Sequence, residues 1–309
     1  MAFLLNPVYL NVVNKVTGTK TTGADASPSD QDYQFRPIGW IESPYKEKFG
    51  TPRQPGLVDA PIGAVLLRDD LNADALDGLK DYSHAWLVFV FHANRSFKTG
   101  RPFEKTKVHP PRLQGAAVGV FATRSPHRPN PIGLSLVKIE RVEERRLYIR
   151  GLDLIEGTPV LDIKPYLPTV EAPLDAYEGW SANLAPSQFE VEWSLEALGQ
   201  LSAAAETNAD VATSGSANLD HFKNSIEQIL RLDPRPVAYR GTAENPDPYM
   251  STYGFRFQNW NIVFEMISMN IGSENNGSVD NGSGRLAPTR VARILRLENW
   301  PASGAVRTR

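Results

Sequence analysis

Three segments of the chain mix proline with charged and hydrogen-bonding side chains: SPYKEKFGTPRQPG at 43–56, TRSPHRPNPIGLS at 123–135 and LDIKPYLP at 161–168. Proline fixes φ and removes a backbone donor, so such segments lose freedom before any ligand arrives. A loop stiffened in this way holds its peptide groups and side chains at set positions, which is the preorganisation a binding site requires. The second segment is the most specific. Pro126, Pro129 and Pro131 block helix and ladder alike, so a loop is predicted between the apolar runs GVFAT and GLSLV. Arg124 and Arg128 bring permanent charge on planar forks suited to carboxylate or phosphate, and Asn130 both donates and accepts. One such loop is ordinary punctuation between strands. Three in the strand-rich half of the chain, two of them carrying an arginine, favour a shared site.

Other chemistries find less support. Four of the five histidines fall between His84 and His127, but His84 and His92 flank the apolar run WLVFVF, which holds them about 26 Å apart when extended. One ion does not bridge that distance, and no HExxH pair exists, so no metal is expected. There is no GxGxxG after a strand and no GxSxG elbow, which argues against a Rossmann-type cofactor site and an α/β-hydrolase. The chain has no cysteine, excluding disulfides, thiolate zinc sites and a cysteine nucleophile. No run of about 18 apolar residues is present, so no membrane span is expected. The N-terminus MAFLLNPVYLNVVNKV lacks a basic start and is interrupted by Asn6, Pro7, Asn11 and Asn14, so it is not read as a signal peptide. A cytoplasmic protein fits these features.

The elements that must position the three segments are mostly strands. Residues 16–31 are small and polar, and a flexible leader over 1–34 is predicted. From Phe35 onward, short apolar runs alternate with turn signals: RPIGWIESP, GAVLLR, HAWLVFVFH, GAAVGVFAT, IGLSLVKIERV, RLYIRGLDLI and TPVLDI. This is the pattern of a β sandwich or barrel, here assigned to 35–200. Glu143 to Arg146 reads as a hairpin tip. Short helices are expected over Ala75–Lys80, capped by Asp74, and around Ser194–Leu201. Residues 203–218 read as a linker. A small α+β unit over 219–300 follows, with a helix at about 219–231 carrying Phe222, Ile226, Ile229 and Leu230 on one face. Extended segments are expected at Tyr253–Phe257, Asn261–Ile271 and Arg290–Leu297, with a Gly/Asn/Ser-rich hairpin loop at 272–285.

The net charge of −2 hides an asymmetry. Between His92 and Arg150 there are thirteen Lys/Arg and four Asp/Glu, while the rest of the chain carries 20 basic and 31 acidic residues. A basic block in an acidic protein suits an anionic partner, because Lys and Arg gain most where they neutralise phosphates. It equally suits a solvated face of a strand-rich domain.

The stretches IGWIESPYKEKFGTPRQPG, DYSHAWLVFVFH, PPRLQG, VGVFATRSPHRPNPIGLSLV, GTPVLDIKPYLP and DPRPVAYR, in that order, resemble the tRNA (adenine-37-N6)-methyltransferases of the TrmO family, also called TsaA-like proteins. The resemblance spans about Phe35–Leu167 and the start of the C-terminal unit. It implies an N-terminal β-barrel that binds S-adenosyl-L-methionine without a Rossmann sheet, a homodimer with the cofactor near its interface, and a C-terminal unit that helps hold tRNA. The implied activity is methylation of N6 of threonylcarbamoyladenosine at position 37 in tRNAs that read threonine codons. It implies cofactor contacts at Pro52, Arg53, Gln54, His92, Arg124, Leu134, Asp162, Ile163, Lys164 and Pro165. Asp162 and Tyr166 are the candidates for a general base, although alignment alone could suffice.

For the RNA, Arg128 and Asn130 are candidate contacts, together with Arg235, Tyr239 and Arg240 of DPRPVAYR, where arginine pairs phosphate and tyrosine stacks a base. The plainer alternative for that last motif is a helix stop at Pro234 and Pro236. The leader and the 272–285 insertion depart from the family pattern. Two other functions remain open at this stage: an RNA-binding module without catalysis, and a protein-interaction regulator on the same barrel.

Overall fold

The computed structural model describes residues 33–94, 106–110, 113, 116–182, 189–207, 216–235, 239, 252–269 and 289–299. In chain order the strands are β1 (Gly39–Glu42), β2 (Ile62–Leu67), β3 (His84–Val90), β4 (Lys107–Val108), β5 (Val118–Gly119), β6 (Ile132–Glu143), β7 (Arg146–Arg150), β8 (Pro159–Pro165), β9 (Glu190–Trp193), β10 (Tyr253–Phe257), β11 (Trp260–Met269) and β12 (Thr289–Asn299). A one-turn helix α1 (Pro168–Glu171) follows β8, and α2 (Leu195–Thr207) and α3 (Ser216–Arg231) lie between β9 and β10.

Six strands close into a barrel in the order β1-β2-β7-β6-β3-β8, every pair antiparallel. Alternation along each strand decides what points inward. On β3, Ala85, Leu87 and Phe89 are buried while His84, Trp86 and Val88 face out. Val65, Val137, Leu147, Ile149 and Val160 complete the interior, each contributing about 1.5–3 kcal/mol by leaving water. The second position of β6 is Gly133, where a Cβ would lie 2.2 Å from the Phe89 ring. The β6–β7 hairpin turns at Glu144 and Arg145, with Glu144 at φ 48°, inside the tip read from the sequence.

The antiparallel order has one consequence for function. The β1–β2, β3–β6 and β7–β8 connections all emerge at the same end of the barrel. The first two carry the 43–56 and 123–131 segments, and the third precedes Asp162.

The second unit is a four-stranded sheet ordered β10-β11-β12-β9. The apolar spacing that predicts barrel residues as far as 200 is corrected here: β9 pairs in parallel with β12, which attaches 190–207 to the second sheet. The stretch read as a linker at 203–218 is helical at both ends, in α2 and α3; residues 208–215 lie outside the described ones. Buried Phe222, Ile226, Ile229 and Leu230 form the expected face of α3. The helix expected at 75–80 is two 3-10 turns, Ala73–Leu76 and Leu79–Asp81, capped by Asn72 rather than Asp74 and separated by Gly78 at φ 82°. The 272–285 loop and most of the leader lie outside the described residues.

The two units share packing. Tyr45, fully buried in the β1–β2 connection, meets the Phe257 ring edge-on at 5.9 Å. Phe257 in turn meets Phe222 at 5.7 Å. Gln228 of α3 accepts from the amides of Asp59 and Ala60 at 3.0 and 3.1 Å.

Candidate functional site

The 123–131 loop is braced from several sides. Asn94 donates to the Pro126 carbonyl, and the Arg128 guanidinium donates to the Thr123 carbonyl at 2.9 Å. The Trp180 indole donates to the Ala122 carbonyl at 3.0 Å. With its backbone fixed, the loop delivers Arg124 to Gln54, whose side-chain oxygen accepts from Arg124 Nη1 at 3.0 Å. Two of the three proline-rich segments therefore meet in a single contact. Pro52 is half-buried beside them, and Arg53 Nη2 donates to the Arg235 carbonyl at 3.2 Å. His92 sits in the turn that ends β3, with its amide bonded to the Val90 carbonyl at 2.7 Å.

The third segment joins through strand register. Val88 is paired with Leu134 on one side and Asp162 on the other, so Leu134, Val88 and Asp162 form one row across β6, β3 and β8. Two strand spacings put Leu134 and Asp162 about 10 Å apart on the outer face. Leu134 is 53% exposed there, an unusual amount for a mid-sheet leucine. Asp162 accepts from the Ile163 amide at 2.9 Å and pairs with Lys164 at 2.9 Å. Ile163, opposite buried Leu87, turns toward the core, so alternation divides the 162–165 run between two faces. Tyr166 is beyond the end of β8, its ring against the edges of His84 and Trp86. Four residues of strand separate it from Asp162 by about 13 Å, so the two candidate bases do not address one atom.

Next to this row is a cleft of about 850 Å³ lined by Arg124, Trp86, Leu136, Lys138 and, from α3, His221 and Asn224. Burial and the Arg150 charge lower the His221 pKa. Seven members of the basic block fall into two groups. Arg141, Arg145, Arg146 and Arg150 are matched with Glu143, Asp69, Glu42 and Glu140 at 2.6–2.9 Å. Arg124, Arg128 and Lys138 have no carboxylate within ion-pairing distance among the described residues. Among these seven, the charge without a carboxylate partner lies at the loop and the cleft.

Sequence reasoning missed Asp153. It follows β7 at the same end of the barrel, between the buried Leu152 and Leu154, and accepts from Ser135 Oγ at 2.6 Å. Burial pushes its carboxyl up to about 6, against the opposing effects of the Ser135 bond, its own amide and the Arg124 charge. The available signal was an acidic residue wedged between two leucines in RGLDLIEG.

The DPRPVAYR motif behaves differently from an exposed RNA-facing cluster. Arg235 is 3% exposed, its guanidinium bonded to Asp233 at 2.8 and 3.1 Å and stacked 5.1 Å from the Tyr253 ring centroid. Asp233 adopts φ 51°, and its carboxylate also accepts from the Arg235 amide at 3.3 Å. The local turn therefore closes the pair inward. Tyr239 is 36% exposed. Arg240 and part of PPRLQG lie outside the described residues.

Comparison with known proteins gives a consistent picture. Residues 40–172 match the model of the tRNA-methyltransferase O N-terminal domain, and 186–272 that of the TrmO C-terminal domain. The chain is 39% identical over 246 residues to the tRNA (adenine(37)-N6)-methyltransferase of Escherichia coli K12, covering 77% of this chain and 97% of that one. It is 43% identical over 232 residues, covering 74% of this chain and 90% of the other, to a candidate S-adenosylmethionine-dependent methyltransferase, RcsF, of Pseudomonas aeruginosa. The crystal structure of TrmO from Pseudomonas aeruginosa superposes with a TM-score of 0.59 at 32% identity, covering 87% of this chain and all of that one.

Proposed function

The chain belongs to the tRNA-methyltransferase O family, and from that premise we propose that it transfers a methyl group from S-adenosyl-L-methionine to N6 of threonylcarbamoyladenosine at position 37 of threonine-decoding tRNA. The observation that carries this reading is the Arg124–Gln54 bond, which joins two proline-stiffened segments beside the exposed Leu134–Val88–Asp162 row.

The residues present suit such a cofactor. Arg124 offers a guanidinium that forms no ion pair among the described residues, suited to the amino-acid end. Asp162 offers an acceptor for hydroxyl or ammonium groups, and Leu134 an apolar surface. Gln54 and the backbone of 52–54 can read a purine edge. When bound, the cofactor supplies a methyl group already activated on a sulfonium sulfur. The protein's remaining tasks are to align the accepting nitrogen with that methyl and to exclude water. Arg128, Asn130, Tyr239 and Arg240 are the candidate tRNA contacts. Arg235 then acts through the loop it anchors. The base at position 37 is splayed out of its stack to reach the site.

A homodimer belongs to the same reading. Leu134, Phe121, Val170, Leu174 and Tyr177 expose 53–105% of their surface, apolar area suited to contact with a second copy of the chain. Cytoplasmic tRNA is the natural substrate pool, and no helix among the described residues is long and apolar enough to cross a membrane.

The experiment is mass spectrometry of nucleosides from tRNA incubated with the protein and S-adenosyl-L-methionine. A gain of one methyl on threonylcarbamoyladenosine supports the proposal; unchanged nucleosides refute it.

A further inference from the structure

The cleft that holds Arg124 and Lys138 has a floor continuous with the Leu134–Val88–Asp162 row. Side chains of β6 alternate, so Leu134, Leu136 and Lys138 share the outer face of the barrel, with Lys138 about 14 Å along the strand from Leu134. On β3, Val88, Trp86 and His84 step in the same direction, paired in turn with Leu134, Leu136 and Lys138. The floor therefore passes from the exposed Leu134, over an apolar step of Leu136 and Trp86, to a polar step of Lys138 and His84. The Trp86 indole is held by its bond to Glu171 at 2.9 Å and by the edge of the Tyr166 ring. Helix α3 adds His221 and Asn224 to the lining.

The carboxylates of the cleft already have partners. Glu140 accepts two bonds from the Arg150 guanidinium, at 2.7 and 3.2 Å, and Asp59 accepts from Gln228 at 2.9 Å. Arg124 is bonded to Gln54 and, in the reading above, receives the amino-acid end of the cofactor. The Lys138 side chain is exposed and has neither an ion pair nor a hydrogen bond among the described residues. A cation thus stands beyond the row, past an apolar floor, on the same face of the sheet.

We propose that Lys138 is a specificity-determining residue, receiving the carboxylate that the target base carries on its N6 substituent. The proposal rests on the methyl-transfer reading and states how the site tells threonylcarbamoyladenosine from plain adenosine. N6 lies on the edge of adenosine remote from its phosphate. With N6 at the row, the group that extends past it is its own substituent and not the RNA backbone. That substituent ends in a carboxylate, separated from N6 by a carbamoyl group and one carbon. The four-carbon stem of Lys138 covers about half of the distance back to Leu134, and the substituent covers the rest. Leu136 and Trp86 suit its carbon chain, while His221 and Asn224 offer donors to its oxygens. The ammonium–carboxylate contact is charge-assisted, and so stronger than a neutral one.

The test compares two forms of one threonine-decoding tRNA, with threonylcarbamoyladenosine or plain adenosine at position 37. Wild-type protein is expected to bind the modified form about tenfold more tightly. In Lys138→Ala this preference should shrink to about twofold or less, through weaker binding of the modified form alone. In Lys138→Glu it should invert, because like charges then face each other. Lys138 is exposed, so both variants are expected to fold, with the S-adenosyl-L-methionine Kd by calorimetry within about twofold of wild type. A Lys138→Ala protein that keeps the wild-type preference overturns the proposal. So does one in which both tRNAs weaken by the same factor, the mark of a backbone phosphate contact. Wild-type protein that methylates threonylcarbamoyladenosine yet binds both tRNAs alike also overturns it. If neither tRNA gains a methyl group from the wild-type protein, the functional reading itself falls.

Discussion

Arg53 Nη2 donates to the main-chain carbonyl of Arg235 at 3.2 Å, so a side chain of the β1–β2 connection is clamped to the C-terminal unit across 182 residues of sequence. Arg53 precedes Gln54, the partner of Arg124. Loss of the clamp should therefore reach the cofactor site. Arg53→Ala is expected to raise the S-adenosyl-L-methionine Kd by about tenfold or more, the value of one or two charge-assisted bonds. Arg53→Lys should restore little of it, because a point charge does not replace a planar fork. Calorimetry on the three proteins checks both statements.

The Asp233–Arg235 pair should govern stability rather than RNA affinity. Both side chains are 3% exposed. Removing one partner leaves a buried charge uncompensated, and Asp233→Ala is expected to cost about 3–5 kcal/mol in urea unfolding.

Arg128 should behave in the opposite way. Among the described residues its guanidinium bonds only to loop carbonyls, and it sits 5.9 Å from the Phe121 ring. In Arg128→Ala, tRNA binding should weaken and the salt-dependence slope should fall by about one phosphate contact. The measurement is tRNA Kd across a salt series.

Tyr45 carries a buried hydroxyl without a hydrogen-bond partner among the described residues, and burial raises its pKa. Tyr45→Phe removes an unsatisfied group while keeping the ring against Phe257, so stability should rise by about 1 kcal/mol. A loss of that size in urea unfolding would mean that the hydroxyl has a partner.

The sign of the pH dependence follows from Asp153. Its carboxyl is raised from 3.8 to about 6 in the folded chain. The folded state therefore binds the proton more tightly, and the contribution of Asp153 to stability grows as pH falls from 6 toward 3.8. At pH 8 the buried charge opposes folding, so Asp153→Asn should melt higher than wild type, with the gap closing toward about pH 4. Glu140 works in reverse. The Arg150 hydrogen bond lowers its pKa, and the stability it supplies at neutral pH is lost in acid. Scanning Tm against pH for both proteins resolves the difference.

Alternating apolar residues revealed most of the strands, and proline spacing revealed the loops that meet at Arg124. Period-two alternation and φ-locked residues are local facts, so a single sequence carries them. The parallel pairing of β9 with β12 was not legible, because about a hundred residues separate the partners and four residues of strand look like a barrel edge. Arg235 looked solvent-facing for a similar reason. The turn at Asp233, with φ 51°, and the nearby Tyr253 ring help make it an interior residue. Asp153 escaped notice because its distinction lies in Ser135, on a different strand, and in burial that the sequence does not display.

The most direct test is a crystal structure of the protein with S-adenosyl-L-methionine. The cofactor should lie between Gln54 and Asp162 over Leu134 and Val88, with its carboxylate on Arg124. Density elsewhere, with Arg124 still bonded only to Gln54, would contradict the account.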